Sequence, residues 1–356
     1  MPETPQNAIA APRCVVLHNC DYESAVDAAD GSEPPSVAAD AEVAETAHAV
    51  AQALAAAGWW VTIETVRDDL DALPGLIARH APDVVFNLVE SLARDSTREA
   101  ETPEALARLS VPFTGNRAEA LRVAYAKDDV RARLLAARVP GARGVSVTAL
   151  EELDALLGAE QLGVPFPLFV KPARTHASIG IDQGSLVRDA DALRARVDWL
   201  LRSVGAPVLV EEYLPGWEIN VAIFPEPYAG SVVPTRIDFS AFPDGLAPIV
   251  TYDCKWSPDS PEYAATSRPC ATELGPELLA EVEQVARRAF AAIGCTSYGR
   301  VDLRLDLNGR PRVIDINPNC DIHPDAGMVV AARSVGVDHA ALIETIARHA
   351  LTTRPS

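Results

Sequence analysis

The chain has 356 residues, with 31 Lys or Arg against 50 Asp or Glu, a formal charge of −19. That length suits two or three domains with cores of their own, and 48% hydrophobic with 23% charged residues is a globular composition. The acidic balance, with no basic run, argues against a nucleic acid or an anionic membrane as partner, because both need a positive face.

No apolar run reaches the roughly 18 residues of a bilayer span. The opening MPETPQNAIAAPR lacks a basic n-region before an apolar stretch, so it reads as a tail and not as a signal peptide. Cys14, Cys20, Cys254, Cys270, Cys295 and Cys320 form no CxxC pair. Reduced, mostly buried thiols in a cytoplasmic protein are expected, in preference to a disulfide framework or a metal cluster.

The first third alternates strand and helix patterns. Cys14 to His18 is a short apolar run suited to a buried strand. Val43, Ala47, Val50, Ala51 and Leu54 fall at helical spacing, with Gly58 as the stop. A β-branched segment follows (Trp60 to Val66), then a helical stretch from Leu70 to His80, the apolar run Val84 to Leu88, a helix from Pro103 to Leu109, and a short strand and turn in PFTGN (Pro112 to Asn116). Such alternation predicts a parallel sheet with helices on its faces. Between 117 and 205 the pattern gives two helical stretches, one strand (Leu168 to Val170) and a Gly/Ser-bearing loop. From 207 onward it is strand-rich, and a helix is predicted from Glu277 to Ile293. The Pro-rich stretches near 5–12 and 31–36 read as tail and loop.

The segment YGRVDLRLDLNGRPRVIDINPNCDI (298 to 322) says most about chemistry. Asn308-Gly309 between two alternating strands is a strong hairpin signature. A two-residue loop pairs Leu307 with Arg310, which sets Asp302 opposite Asp315 and Arg300 opposite Asn317. Because side chains alternate faces, these four form one patch, and Leu303, Leu305, Leu307, Ile314 and Ile316 take the core face. Two facing carboxylates repel, and a hard cation offsets that repulsion. Asp, Asp and Asn offer only oxygen, which suits Mg²⁺ better than zinc. Arg300 beside them could hold a developing oxyanion. The same pattern also fits a solvated hairpin face carrying an Asp–Arg ion pair, and Pro311, which has no N–H, can perturb the register.

Lysine is rare here. Lys127, Lys171 and Lys255 stand far apart in sequence. Lys171 ends the strand PLFVKP and precedes THASIGIDQGS, a loop able to offer backbone N–H groups to phosphate, although no GxxxxGK[ST] is present. An ordinary surface loop fits as well. VLVEEYLPGWEINVAIF (208 to 224) reads as two strands broken at Pro215-Gly216. Its acids Glu211, Glu212 and Glu218 fit either an adenosine site or a solvated edge strand.

Together these segments resemble the ATP-grasp superfamily, and within it the D-alanine–D-alanine ligase family. The likeness runs from about residue 80 to the C-terminus. Four features occur in the family's order: VKP with its Ser/Gly loop, VLVEEYLPGWE, a Lys after an extended YDCKW segment, and GRVDLRL…VIDINPN. The resemblance implies that Lys127 and Lys171 contact the α- and β-phosphates of ATP. It implies that the loop at Ser178, Ile179 and Gly180 closes over the triphosphate. Glu211 with the backbone of Glu212 and Leu214 would read adenine, Glu218 would bind ribose, and Lys255 would lie near the terminal phosphates. Asp302, Asp315 and Asn317 would hold two Mg²⁺ ions, with Mn²⁺ as an acceptable substitute, and Arg300 would stabilise a tetrahedral intermediate. The family usually has Glu where Asp315 stands.

The substrate side departs from the family. Its loop Ser is Ala177, its Tyr after the lysine is Trp256, and its His-Gly after the third strand is replaced by Asn87. Glu23 is the candidate for its N-terminal Glu, without the surrounding Gly-rich pattern, and PNCDIHPDAGM replaces its Ser- and Gly-bearing loop. The resemblance implies an ATP-dependent carboxylate–amine ligase that joins small amino-acid-like substrates through an acyl phosphate and releases ADP and phosphate. The rivals are a genuine D-alanine–D-alanine ligase with a rebuilt pocket, a non-catalytic ATP-binding protein, and a kinase of the same fold. The implied architecture is α/β and α+β: an N-terminal Rossmann-like domain (1–116), a small central lid (117–206) and a C-terminal antiparallel-sheet domain (207–356). Partners would be small carboxylates and amines, and a homodimer is compatible with the family.

Overall fold

A computed structural model describes residues 11–20, 35–175, 178–229 and 234–353. The tail before residue 11, the Pro-rich stretch at 31–34, Glu23 and Ala177 lie outside them. The described residues form two compact units, one of residues up to Ala118 with 224–230 and 321 onward, the other of 119–223 with 231–320.

The first unit is built on a parallel sheet of β1 (Arg13–Asn19), β2 (Trp60–Val66) and β3 (Val84–Leu88), in the order β2-β1-β3. Strand β1 is central and buried from Cys14 to Asn19, which is why it reads as an unbroken apolar run instead of an alternating one. PFTGN extends this sheet by a single parallel bridge, Val85 to Phe113. The crossovers are α1 (Pro35–Ala56) and α2 (Leu73–His80), and α3 (Glu101–Arg108) follows β3. Ala47, Val50 and Leu54 form the buried stripe of α1, and Gly58 lets the chain leave it at φ 86°.

The second unit holds two antiparallel sheets. Its helices before the first sheet are α4 (Ala118–Tyr125) and α5 (Lys127–Ala136). The first sheet contains β4 (Gly144–Val147), β5 (Leu168–Pro172), β6 (Leu186–Val187) and β7 (Val208–Glu212), in the order β4-β7-β5-β6, with α6 (Leu150–Gly158) and α7 (Ala190–Ser203) between them in sequence. Leu153, Leu193, Val197 and Leu200 from those helices share one core with Val147, Leu168, Val170, Val208 and Val210. The 117–205 segment thus carries more elements than the two helices and one strand expected. Short strands such as β4 and β6 give too few residues for a period to show.

The second sheet takes β8 (Glu218–Ile223), β9 (Thr235–Arg236), β10 (Gly299–Leu305) and β11 (Pro311–Asn317), in the order β11-β10-β8-β9. Between β9 and β10 lie α8 (Asp253–Trp256), α9 (Pro261–Ala265) and α10 (Pro276–Ala292). The YDCKW segment, expected to be extended, is therefore a short helix, and 237–275 is mostly loop where strands were expected. Strands β7 and β8 belong to different sheets and both are interior, so neither is the solvated edge that their acids also suggested. Val282, Val285, Ala286, Ala289 and Phe290 of α10 pack on Ile219, Val221, Val301, Leu303, Val313 and Ile316. That leaves the opposite face of the sheet to polar side chains. After β11 the chain returns to the first unit with α11 (Gly327–Ser334) and α12 (His339–Thr352), where α12 packs on α1 and β3. No described helix is long and apolar enough to cross a membrane, and all six cysteines are free.

Candidate active site

The polar face of the second sheet is set by register. Asp302 pairs with Asp315 and Arg300 with Asn317, as the hairpin pattern predicts, but by a different route. The turn is one residue longer than expected. Asp306 N donates to Arg310 O at 2.9 Å, and the loop is Leu307-Asn308-Gly309 with Gly309 at φ 72°. Asp306 Oδ1 accepts from Asn308 N and Arg310 N at 2.9 and 3.0 Å, which locks the turn. The ladder then runs Leu305 to Pro311 and Leu303 to Val313, and a register shift between Asp302 and Leu303 leaves Ile314 as a bulge. The extra loop residue and the bulge cancel, so the carboxylates still face each other. Two core assignments change in consequence. Leu307 is 88% exposed in the loop, and Ile314 lines the cleft while Val313 takes the core position.

The bulge also frees the Ile314 carbonyl, which accepts from Lys171 Nζ at 3.0 Å. Lys171, next to last in β5, lines the cleft and pairs with Glu211 at 2.9 Å, both side chains being nearly inaccessible. Arg131 stands 4.0 Å from the other oxygen of Glu211. Glu212 is gripped by Arg143, whose Nη2 donates to it at 2.7 Å. Lys127, the first residue of α5, donates to Thr175 O at 2.6 Å, and Lys255 enters from α8. Arg300 clamps Asp302 with two hydrogen bonds of 2.7 and 2.9 Å. The ion pair that a solvated face would carry is therefore present, but Asp302 is only 7% exposed.

These groups line one cleft inside the second unit. The chain contains three lysines, and all three line it. Of the residues singled out from sequence, Ser178, Glu211, Glu212, Leu214, Glu218, Arg300, Asp302 and Asp315 line it as well. Ile179 is exposed, and Gly180 sits at φ 75° with its carbonyl accepting from Arg196 Nη2 at 2.7 Å. Asn317, at the end of β11, accepts from Asn319 N at 3.2 Å.

Electrostatics in the cleft follow from enclosure. Burial lowers the pKa of Lys127, and Lys171 adds to this while Asp315 opposes it. Burial likewise lowers that of Lys255, with Arg300 contributing. The carboxyl of Glu218 is pushed up by burial, against the pull of Arg304. The neighbouring Asp302 charge raises Arg300 above its already high value. A pocket that destabilises lysine charge calls for an anion.

Two residues on the polar face escaped the sequence reading. Asn220 on β8 donates through Nδ2 to Asp302 Oδ1 at 2.7 Å, and Arg304 stands 3.7 Å from Glu218 and 5.3 Å over the Tyr213 ring. Arg304 follows Asp302 by two positions, so strand alternation alone reaches it. Asn220 needs the β8–β10 pairing, which no local pattern announces. The donor set Asp302, Asp315 and Asn317 is all oxygen and stands next to basic groups, which fits a hard divalent cation. Asn87, by contrast, lies in the first unit, buried at the end of β3, where its N–H donates to Thr114 Oγ1 at 3.0 Å.

The family model described as D-ala D-ala ligase C-terminus matches residues 148–348. The D-alanine–D-alanine ligase of Granulibacter bethesdensis is 30% identical over 300 residues, covering 82% of this chain and 88% of that protein. The chain belongs to the D-alanine–D-alanine ligase family of ATP-grasp ligases. An uncharacterized Sinorhizobium fredii protein, y4sG, is 29% identical over 266 residues, 74% of this ligase-family chain and 73% of its own. Among solved structures, the Bacillus anthracis D-alanine–D-alanine ligase complexed with ATP superposes with a TM-score of 0.70 at 18% identity, covering 96% of this chain and 98% of that one. The Enterococcus faecalis VanG D-Ala:D-Ser ligase gives 0.70 at 14%, covering 94% and 98%. At those identities the likeness is one of fold, the ATP-grasp fold, with its parallel-sheet unit and paired antiparallel sheets.

Proposed function

We propose that this family member is an ATP-dependent carboxylate–amine ligase that makes an amide bond between small amino-acid-like substrates and releases ADP and phosphate. The observation that carries the reading is the gathering of every lysine in an acidic chain into one enclosed cleft, beside an Asp–Asp–Asn face. Lys127 and Lys171 would neutralise the α- and β-phosphates, and Lys255 the terminal ones, with the Ser178–Ile179–Gly180 loop over them. Glu211 would exchange Lys171 for the adenine amine, the backbone of Glu212 and Leu214 would complete the adenine contacts, and Glu218 would take the ribose. Asp302, Asp315 and Asn317 would hold Mg²⁺, as two ions, with Mn²⁺ able to replace it. Such ions supply charge neutralisation for phosphoryl transfer to the substrate carboxylate. Arg300, released in part from Asp302, would hold the oxygen that becomes negative when the amine attacks the acyl phosphate.

We further propose a three-part working architecture: a substrate-contributing region at 1–116, a lid at 117–206 that excludes water from the acyl phosphate, and a catalytic region from 207 onward. The partners are small molecules, with no nucleic acid or membrane, and the setting is cytoplasmic, with a homodimer as the family-like assembly. A panel of amino acids and other small carboxylates and amines, read by phosphate release and product mass, tests the proposal. Amide products formed with equal amounts of ADP and phosphate support it, and tight ATP binding without turnover across the panel counts against it. Activity confined to D-alanine would establish the second reading, a genuine D-alanine–D-alanine ligase, which the Granulibacter relative favours.

A further inference from the structure

Glu262 lies on α9, away from the hairpin, yet it is only 7% exposed. An acid is seldom buried without partners, and this one is met by neutral groups: a hydroxyl, a thiol and a side-chain amide. Its Oε2 accepts from the Thr251 hydroxyl and lies 3.7 Å from the Cys254 thiol, and its Oε1 accepts from Gln183 Nε2 at 3.1 Å. Gln183 in turn accepts from Ala247 N at 2.8 Å. Cys254 N donates to Thr251 Oγ1 at 3.3 Å, and Tyr252 N donates to Ile181 O at 2.9 Å. Thr251 and Cys254 are almost fully buried. One carboxylate therefore joins three pieces of chain: the far end of the Ser178–Gly180 loop, the 247–256 segment and α9.

Lys255 directly follows Cys254, and Ile181 directly follows Gly180. Both neighbours belong to the cluster, whereas Lys255 and Ser178 themselves line the cleft. We infer that Glu262 is a positioning residue. It fixes the backbone from which Lys255 enters the cleft and straps the Ser178–Gly180 loop to that backbone, so that the two order as one piece. A satisfied buried network of this kind specifies geometry that its members could not hold singly. The consequence for nucleotide, though not the coupling itself, rests on the proposed ATP site.

Amide hydrogen exchange on the full chain without ligand tests the coupling. In Glu262→Ala, residues 178–185 and 247–256 should exchange faster together, on the order of tenfold, while β10 and β11 stay unchanged. Thr251→Val, which deletes one hydroxyl and keeps the shape, should loosen the same two segments to a smaller degree. Glu262→Gln, which keeps an acceptor, should remain within about threefold of the parent. Loosening of one segment only, or of neither, overturns the inference. If Glu262→Ala does not fold, Thr251→Val decides alone, with unchanged exchange as the overturning result. Titration with ATP and ADP in Mg²⁺ gives the second readout: about tenfold weaker ATP binding in Glu262→Ala, with ADP within about twofold. A parent that binds neither nucleotide refutes the ATP site, while the exchange data still decide the coupling.

Discussion

Asp302 and Asp315 face each other in register with their side chains on one side of the sheet. At about 5 Å and an effective dielectric near 20, their repulsion is about 3 kcal/mol. Arg300 and Asn220 offset this at Asp302 in the free protein. Asp302→Asn keeps the shape and an acceptor but loses the charge that a divalent cation requires. Mg²⁺-dependent phosphate release should fall at least about a hundredfold with the circular dichroism spectrum unchanged, and an unaltered rate would remove the metal role. Lys127 yields a pH prediction. Its folded pKa lies below the ordinary 10.5 because of burial, so the unfolded chain binds the proton more tightly. Between the lowered value and 10.5 the unfolded state carries more protons, and stability rises with pH. Below that window the full penalty applies. Lys127→Met should therefore melt higher than the parent at pH 7, with the gap closing as the pH approaches 10.5. A gap independent of pH would show that charge burial is not its cause.

At the scale of the element, the β10–β11 hairpin shows how a one-residue matter decides a site. A single slip in register would send Asp315 to the core face and Ile316 to the cleft. The three-residue loop introduces that slip, and the Ile314 bulge removes it before the ladder reaches the carboxylates. Gly309 makes the loop possible at φ 72° with open space around its α-carbon. A β-branched residue there must adopt a left-handed backbone, so Gly309→Val should lose about 1–2 kcal/mol in urea unfolding. Because the turn is at the far end of the strands, nucleotide affinity should be unchanged. Full stability in this variant would contradict the turn geometry.

For the whole molecule, a cleft that packs lysines against their preference should gain stability from the anion that it lacks in the free state. ATP with Mg²⁺ at 100 times its dissociation constant should add about 2.7 kcal/mol, seen as a higher melting midpoint in calorimetry. ATP at that concentration with no shift would argue against the nucleotide site. The gain should be smaller without the divalent cation, because the carboxylate face then meets the phosphates with its charge uncompensated.

The sequence by itself determined the elements with long, regular periods: the strands of the parallel sheet, α1, α10 and the paired strands around Asn308-Gly309. It also supplied the chemistry, because two facing aspartates, an asparagine and three scarce lysines define a small set of ligands, and their order along the chain carries the family resemblance. Only the tertiary structure decided that Lys171 meets the Ile314 carbonyl and Glu211, that Asn220 joins Asp302, and that Gln183, Thr251 and Glu262 form one cluster. Those contacts join residues from 11 to 143 positions apart. Periodicity reports what a residue's near neighbours in sequence do, whereas these pairs arise where strands distant in sequence, in one sheet or in two, and loops are brought together.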